Sequence, residues 1–311
     1  MLEICRLTWM SVLFVLPTAA IATSGAAADA QCLHSQVSLQ VLGSGGPEFY
    51  PNRASTSYLV RHKGQGVVLV DAGSGSKFRF AQSGADFNTV QALLFTHFHV
   101  DHSADFSGYI KSAFFSDRNQ DLFVFGPEGN SLFPSAQEFA RASIGSDAGA
   151  YPYLSRYLEG GDEYRIVVKD IKIDKHEVQS VATLNDINFS AIPVHHAQVP
   201  AVAWRVDIGG KSIVFSGDMN GDYDTLAKLA KNADLLVAHN AITEGTTGVA
   251  RNLHMPPSVI GNIAKKAGVK QLILSHRMRR TLGNEAQTLS IIKEKYKGII
   301  KFANDLDCFI P

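Results

Sequence analysis

One short stretch near residue 100 constrains this chain more than any other. An apolar run from Val90 to Phe95 has the composition of a buried strand, and three histidines and one aspartate follow within the next seven residues. Because side chains alternate along extended backbone, His97 and His99 point to the same side at the strand tip. Asp101 and His102 fall where the chain turns into the next helix. Imidazole nitrogens that converge with a carboxylate are typical ligands of zinc, so this stretch predicts a metal site.

The overall composition is that of an ordinary globular protein. Of 311 residues, 45% are hydrophobic and 19% are charged, which is enough for a sizeable core. Lysine plus arginine and aspartate plus glutamate both number 29, so no net field attracts a polyanion. Within 128–163 six acidic residues stand against two arginines and no lysine, the reverse of what a phosphate backbone needs. The charges therefore predict no nucleic-acid partner.

The first thirty residues have the pattern of a signal peptide. Arg6 precedes an apolar stretch from Met10 to Ala22, and small residues then offer a cleavage site after Ala28 or Ala30. The apolar stretch is too short to span a bilayer, so the mature chain is expected to have no membrane span. We therefore expect a periplasmic or secreted protein.

Removal of residues 1–30 leaves a mature chain, 31–311, that we expect to be one domain with an insertion at about 128–163. It also removes Cys5 and leaves Cys32 and Cys308 near opposite ends. In an oxidising compartment these two cysteines are candidates for a disulfide. Two unrelated buried thiols are an equally good interpretation at this point.

Other ligand-type side chains also follow strand-like runs. Asp71 precedes a glycine turn, where it could simply form the turn. A second group of strands later in the chain suggests a second sheet that faces the first, and its strands are followed by His195-His196, Asp218 and His276. Such strand ends can gather at one rim of a β-sandwich. Helical patterns are found at 105–115, 224–232, 258–267 and 284–296.

The stretch from His97 to His102 resembles the His-x-His-x-Asp-His signature of the metallo-β-lactamase superfamily. The order of the later candidates is similar to the branch that contains ribonuclease Z and zinc-dependent arylsulfatases. This resemblance implies an α/β fold with four layers, αββα, around two mixed sheets. It also implies a cofactor of two zinc ions, with manganese or iron as alternatives. The implied ligands are His97, His99 and His196 for one zinc, Asp101, His102 and His276 for the other, and Asp218 as the bridge.

The resemblance assigns further roles around these ligands. Counting back from Arg205 makes His196 the ligand, and His195 remains the alternative. Asp71 is implied to orient a ligating histidine.

Two catalytic residues are also implied. Asp101 would orient the attacking hydroxide, and His254 would assist at the scissile group. However, the family's His-Ser-Thr is His-Met-Pro here. Arg277 and Arg280 are candidate contacts for an anionic substrate, and a solvated loop is the alternative for both.

These features predict a metal-dependent hydrolase of ester bonds. The main hypothesis is a secreted dinuclear zinc enzyme that cleaves a small sulfate or phosphate ester through a hydroxide shared by the two metals. A lactonase or β-lactamase on the same metals is the alternative enzyme, and a catalytically silent binding module is the alternative outside enzymes. A small-molecule ester is the expected partner, and the resemblance also implies a homodimer.

Overall fold

The computed structural model describes residues 31–311, so the predicted signal peptide lies outside the described residues. Within 31–311 two seven-stranded sheets pack face to face, and helices cover the outer face of each sheet. The order of layers is therefore helix, sheet, sheet, helix. The predicted four-layer α/β sandwich is confirmed. No helix in this range is both long enough and apolar enough to cross a bilayer.

The strands are numbered along the described chain. Their bounds are β1 (Val37–Gly43), β2 (Ser57–His62), β3 (Gln65–Val70), β4 (Ala92–Leu94), β5 (Leu122–Pro127), β6 (Ile166–Ile171), β7 (Gln179–Leu184), β8 (Ile187–Pro193), β9 (Val202–Ile208), β10 (Lys211–Phe215), β11 (Leu235–His239), β12 (Gln271–Ser275), β13 (Ile299–Phe302) and β14 (Cys308–Phe309).

Both sheets are mixed, as the resemblance implied. The first has the order β14-β1-β2-β3-β4-β5-β6, with antiparallel pairs from β14 to β3 and parallel pairs from β3 to β6. The second has the order β13-β12-β11-β10-β9-β8-β7, parallel from β13 to β10 and antiparallel from β10 to β7. Strands β8, β10, β11 and β12 consequently run in the same direction, and their carboxyl ends lie at one edge.

The helices lie outside the two sheets. Most of the predicted helices are present, but the segment 224–232 forms only a four-residue helix. It is short because Asn232 has a positive φ and because Arg205 takes the carbonyl oxygens of Leu229 and Lys231 as hydrogen-bond acceptors. The helix bounds are α1 (Ser76–Gln82), α2 (Val100–Ser103), α3 (Phe106–Ala113), α4 (Ala136–Ile144), α5 (Arg156–Glu159), α6 (Leu226–Leu229), α7 (Gly248–Leu253), α8 (Pro257–Ala267) and α9 (Glu285–Lys295), with 3₁₀ turns at Phe87–Thr89 and Pro152–Leu154.

Two hydrogen bonds join the sheets just beyond the end of β4. The fully buried Trp204 on β9 donates its indole N–H to the carbonyl oxygen of Phe95 at 2.9 Å. The backbone N–H of Val202 donates to the carbonyl oxygen of Thr96, also at 2.9 Å. Because both acceptors directly precede His97, these bonds fix the histidine stretch against the second sheet.

The segment 128–163 connects β5 to β6 and contributes to the outer helical layer. Phe139 on α4 packs against Phe95, Phe98 and Phe106, with ring centroids 4.7–5.6 Å apart. A capping box at Ser135 and Glu138 begins this helix. The aromatic residues of the segment are thus partly core, while Tyr151 and Tyr153 stay exposed.

A disulfide joins Cys32 to Cys308 across 276 residues of sequence. The two Cα atoms are 5.7 Å apart, which lies within the usual range for a disulfide. Cys308 lies on β14, which pairs with β1 in an antiparallel register. Of the two interpretations left open by the sequence, the disulfide is the one observed.

We expect Cys308→Ser to lower the free energy of unfolding by about 2–4 kcal/mol, because the cross-link restricts the unfolded chain. Urea titration of the oxidised protein, followed by circular dichroism, measures this difference. A reductant should destabilise the wild type to the level of the variant and leave the variant unchanged. Equal stability of the oxidised wild type and the variant would show that the cross-link has no such role.

Candidate metal centre

The candidate ligands reach one place because each follows the end of a strand. His97 follows β4, His196 follows β8, Asp218 follows β10 and His276 follows β12. Of the remaining ones, His99 is the N-cap residue of α2, and Asp101 and His102 lie on that helix. The structure thus brings all seven predicted ligands to one rim of the sandwich, and their role as ligands stays a prediction.

Asp218 lies at the centre of this cluster. Its Oδ2 atom is 3.5 Å from His276 Nε2, 3.7 Å from His102 Nε2 and 3.9 Å from His196 Nε2. The ligand atoms of His97, His99, His196 and Asp218 all lie within 4.8 Å of one another, and so do those of His102, Asp218, His239 and His276. Asp218 is the member common to both groups, which is the position expected of a bridging carboxylate.

The second group includes His239, which the sequence did not assign as a ligand. Both of its ring nitrogens already have partners: Nδ1 donates to Asp218 Oδ1 at 2.7 Å, and Nε2 accepts from the Tyr58 hydroxyl at 3.0 Å. His239 therefore supports Asp218 rather than presenting a lone pair. Asp101 fits the ligand role better, because its Oδ2 lies 3.2 Å from His276 Nε2 and 3.5 Å from His102 Nε2.

The hydrogen bonds around the cluster set the tautomers of its histidines. His102 donates from Nδ1 to Asp71 Oδ2 at 2.8 Å, and His196 donates from Nδ1 to the carbonyl oxygen of Leu253 at 2.9 Å. Thr96 fixes the same aspartate, since its backbone N–H and hydroxyl both donate to the Asp71 carboxylate. In the neutral form of either histidine, Nε2 then keeps the lone pair, and this atom faces the cluster.

Several buried nitrogens in this cluster have no hydrogen-bond partner within residues 31–311. They are His97 Nε2, His102 Nε2, His276 Nδ1 and His254 Nδ1. In addition, His196 Nε2 faces His99 Nδ1 at 3.3 Å. Unpartnered buried nitrogens are costly, and a set of imidazoles and carboxylates suits zinc, manganese or iron. The residues therefore fit a pair of divalent metal ions.

Burial and charge agree with this interpretation. Burial lowers the pKa of His97 well below its usual range and lowers that of His196 to about 4. These imidazoles are neutral at neutral pH, which is the form that binds metals. Burial would also lower the pKa of His102, but three neighbouring carboxylates outweigh it and raise that pKa well above its usual value. The carboxylates thus stabilise positive charge in the cluster, and bound divalent cations would supply such charge.

The backbone is strained at two residues of the site. Asp71 and His276 have φ values of 57° and 51°, in the left-handed region that side chains other than glycine adopt rarely. Next to His276, Gly46 leaves no room for a side chain, because a Cβ there would lie 2.8 Å from the ring. The loop after β1 is therefore shaped around this histidine.

The remaining predicted residues lie at the rim or outside the cluster. His254 is mostly buried, with Nδ1 3.7 Å from Asp218 Oδ2. His195 points elsewhere and accepts a hydrogen bond from the Asn220 amide. The Arg277 guanidinium pairs with Glu285 and lies over the Phe302 ring, so the structure does not support the prediction that Arg277 contacts substrate. Arg280, three residues further along, stays exposed and donates from Nε to the carbonyl oxygen of Ala241.

Comparison with known proteins shows the family to which the chain belongs. The model of the metallo-beta-lactamase superfamily matches residues 50–258, so the chain belongs to that superfamily. Ribonuclease Z from Mycobacterium sp. (strain KMS) is 30% identical over 259 residues, which cover 77% of this chain and 84% of the relative. Ribonuclease Z from Mycolicibacterium paratuberculosis is 27% identical over 284 residues, covering 87% and 96%.

Solved structures agree on the fold. The metallo-beta-lactamase fold protein YhfI from Bacillus subtilis aligns with a TM-score of 0.69 at 20% identity and covers 88% of this chain and 98% of its own. The short form of human tRNase Z aligns with a TM-score of 0.66 at 19% identity and the same coverage. The chain is a metal-dependent hydrolase that acts on ester bonds, as its sequence predicted.

Two predictions from the sequence were wrong. We expected a hydrolase of small sulfate or phosphate esters and no nucleic-acid partner, whereas the matching relatives are named ribonuclease Z. The charge count misled because it averages over the whole surface and omits the charge that metal ions add at the site. The acidic segment 128–163 also misled, since much of it forms the outer helical layer over the first sheet.

We expect Asp218→Asn to lower the zinc content from about two ions per chain to less than one, because the neutral amide cannot bridge two cations. Elemental analysis after dialysis against zinc measures this content. Asp207→Asn is the matched control, since that aspartate is more exposed and pairs with Arg205 on the same strand. Equal zinc contents in the wild type and Asp218→Asn would contradict the assignment.

Proposed function

We propose that this protein is a metal-dependent phosphodiesterase that cleaves RNA. Two observations together support the proposal. Histidines and an aspartate form a buried cluster, and the chain matches proteins named ribonuclease Z over most of its length. A phosphodiester is the ester that such relatives imply. The zinc identity, the ligand set and the roles below are part of the same proposal.

In this proposal one metal ion is held by His97, His99 and His196, and the other by Asp101, His102 and His276, with Asp218 between them. Bound metal would supply Lewis acidity toward the phosphate and lower the pKa of water. The remaining steps depend on side chains of the protein. Their geometry supports Asp101 as a proton acceptor and His254 as a hydrogen-bond donor.

Asp101 is the proposed proton acceptor. Burial alone would raise its pKa, but the neighbouring His102 and His276 outweigh this and lower it to about 2. The carboxylate is therefore ionised at neutral pH and can accept a hydrogen bond from the attacking water. Its position in the first turn of α2 keeps it beside the cluster.

His254 is the proposed hydrogen-bond donor to the phosphate or to the leaving oxygen. It ends α7, and its ring lies 5.7 Å from the rings of His196 and His276. Burial lowers the pKa of this histidine to about 3, so the ring is neutral and has one N–H to donate. Arg280 is close enough to contribute to that low pKa, and the guanidinium of this exposed residue is the proposed contact for a phosphate oxygen.

We expect the protein loaded with zinc to cleave transfer-RNA transcripts that carry extra nucleotides, and we expect His254→Ala to lower kcat by about 10²–10⁴-fold. The zinc content should stay at the wild-type level, because His254 is not a proposed ligand. Single-turnover cleavage of end-labelled transcripts measures the rate, and His62→Ala, at the far end of β2, is the matched control. Fully loaded protein that leaves both the transcripts and unstructured RNA intact would overturn the proposal.

We also propose that the protein is exported to an oxidising compartment. The supporting observation is the Cys32–Cys308 disulfide, because such bonds persist where thiols are oxidised. The expected result is a mature chain that begins at Asp29 or Gln31 and lacks free thiols, measured by intact mass and thiol labelling of the protein recovered from a cell fraction outside the cytoplasm. Recovery from the cytoplasm with residues 1–30 intact would contradict export.

A further inference from the structure

A cavity opens directly beside the candidate metal centre. Its volume is about 310 Å³, and His196, a proposed ligand, forms part of its wall. The floor is the tight turn after β8, which the backbone N–H of Val199 closes by donating to the carbonyl oxygen of His196 at 3.0 Å. Val194, Val199 and Pro200 make this floor apolar and buried. Anything that fills the cavity therefore lies next to the proposed reaction centre.

One wall of the cavity is an aromatic ring that packs against two imidazoles. Tyr223 is 37% exposed. His176 stacks on it with ring centroids 3.8 Å apart, and His195 meets it edge-on at 4.9 Å. His195 is itself fixed by the Asn220 amide at 2.6 Å. These contacts hold the tyrosine ring in place before any ligand binds. A planar ligand would therefore lose little free energy in ordering this side chain.

Another part of the wall is the loop that begins the segment 128–163. Asn130 fixes this loop, because its amide donates to the backbone carbonyl oxygen of Gln198 and its side-chain oxygen accepts from the backbone N–H groups of Leu132 and Phe133. Leu132 lines the cavity and remains 66% exposed. The loop thereby presents an apolar side chain to the cavity.

An amide side chain also lines the cavity. The side chain of Gln198 lines the cavity and is exposed, and none of its atoms forms a hydrogen bond to another residue within 31–311. An amide both donates and accepts, which suits the edge of a nucleobase. The cavity thus combines an apolar floor, a fixed aromatic ring and one unused amide.

We propose that this cavity is a nucleobase subsite, which takes the base of the nucleotide next to the scissile phosphate. The proposal rests on the proposed function, since an RNA substrate supplies such a base at the required place. A planar heterocycle would stack on the part of the Tyr223 ring that His176 leaves exposed, contact Leu132 and form a hydrogen bond with Gln198. The nucleotide's phosphate would then lie at the metal centre, on the other side of His196.

Cleavage kinetics test the stacking role. Tyr223→Ala should raise KM for a short RNA about tenfold and leave kcat within about twofold, because the lost contact holds the base rather than the reacting phosphate. Tyr223→Phe keeps the ring and should restore the wild-type KM. Tyr153→Ala is the matched control, because that exposed tyrosine lies near Lys111 on the outer helical layer. An unchanged KM in Tyr223→Ala would overturn the subsite.

Ligand binding separates this proposal from the RNA reaction. Calorimetry on the zinc-loaded protein compares the four nucleoside 5′-monophosphates with ribose 5-phosphate, which has the same phosphate and no base. We expect the nucleotides to bind about tenfold more tightly to the wild type, and we expect Tyr223→Ala to remove that preference. Gln198→Ala should reduce the differences among the four bases.

Each outcome bears on one proposal. If no RNA is cleaved but the preference for nucleotides depends on Tyr223, the subsite is supported and the RNA reaction is wrong. If RNA is cleaved but ribose 5-phosphate binds the wild type as tightly as the nucleotides do, the subsite is wrong and the RNA reaction stands. Circular dichroism of each variant shows whether a loss of binding reflects a loss of fold.

Discussion

The structure depends on the way the two sheets are joined at the end of β4. Trp204 and Val202 on the second sheet donate to the two carbonyl oxygens that precede His97, and thereby align the ligand-bearing strand of one sheet with the strand ends of the other. Four candidate ligands, His97 to His102, lie within six residues of Thr96, and His196 lies six residues before Val202. Without this alignment, Asp218 could not lie within 4 Å of histidines from both sheets. The fold and the centre are thus coupled by a few buried polar contacts.

The metal centre also illustrates how a protein keeps acidic and basic groups together in an apolar interior. The carboxylate of Asp218 is buried, and so are the imidazoles around it. Burial alone would favour the neutral form of every one of these groups, yet the pKa of Asp218 is held well below its usual range by the neighbouring histidines. The cluster therefore suits a bound cation, because several of its buried ring nitrogens have no hydrogen-bond partner within residues 31–311.

Much of the fold and the cluster could be predicted from the sequence because strand ends carry the relevant residues. The spacing of His97 to His102 and the order of Asp218 and His276 indicated both the superfamily and the place where these residues meet. Contacts between distant segments could not be predicted in this way. The pairing of Arg277 with Glu285 and the stacking of His176 on Tyr223 depend on tertiary packing, for which neighbouring residues give no signal. The expected substrate was wrong because net charge reports on a whole surface, not on one cavity.

The connection from β5 to β6 has a consequence for how such an enzyme diversifies. These strands are parallel neighbours, so a crossover of a dozen or more residues must link them, and its additional length is free to vary. This crossover contributes Asn130 and Leu132 to the cavity but none of the proposed ligands. Part of the proposed base contact thus lies on a piece of chain that holds none of the proposed ligands. Exchanging this crossover between relatives would therefore change which bases the cavity prefers without changing any proposed metal ligand.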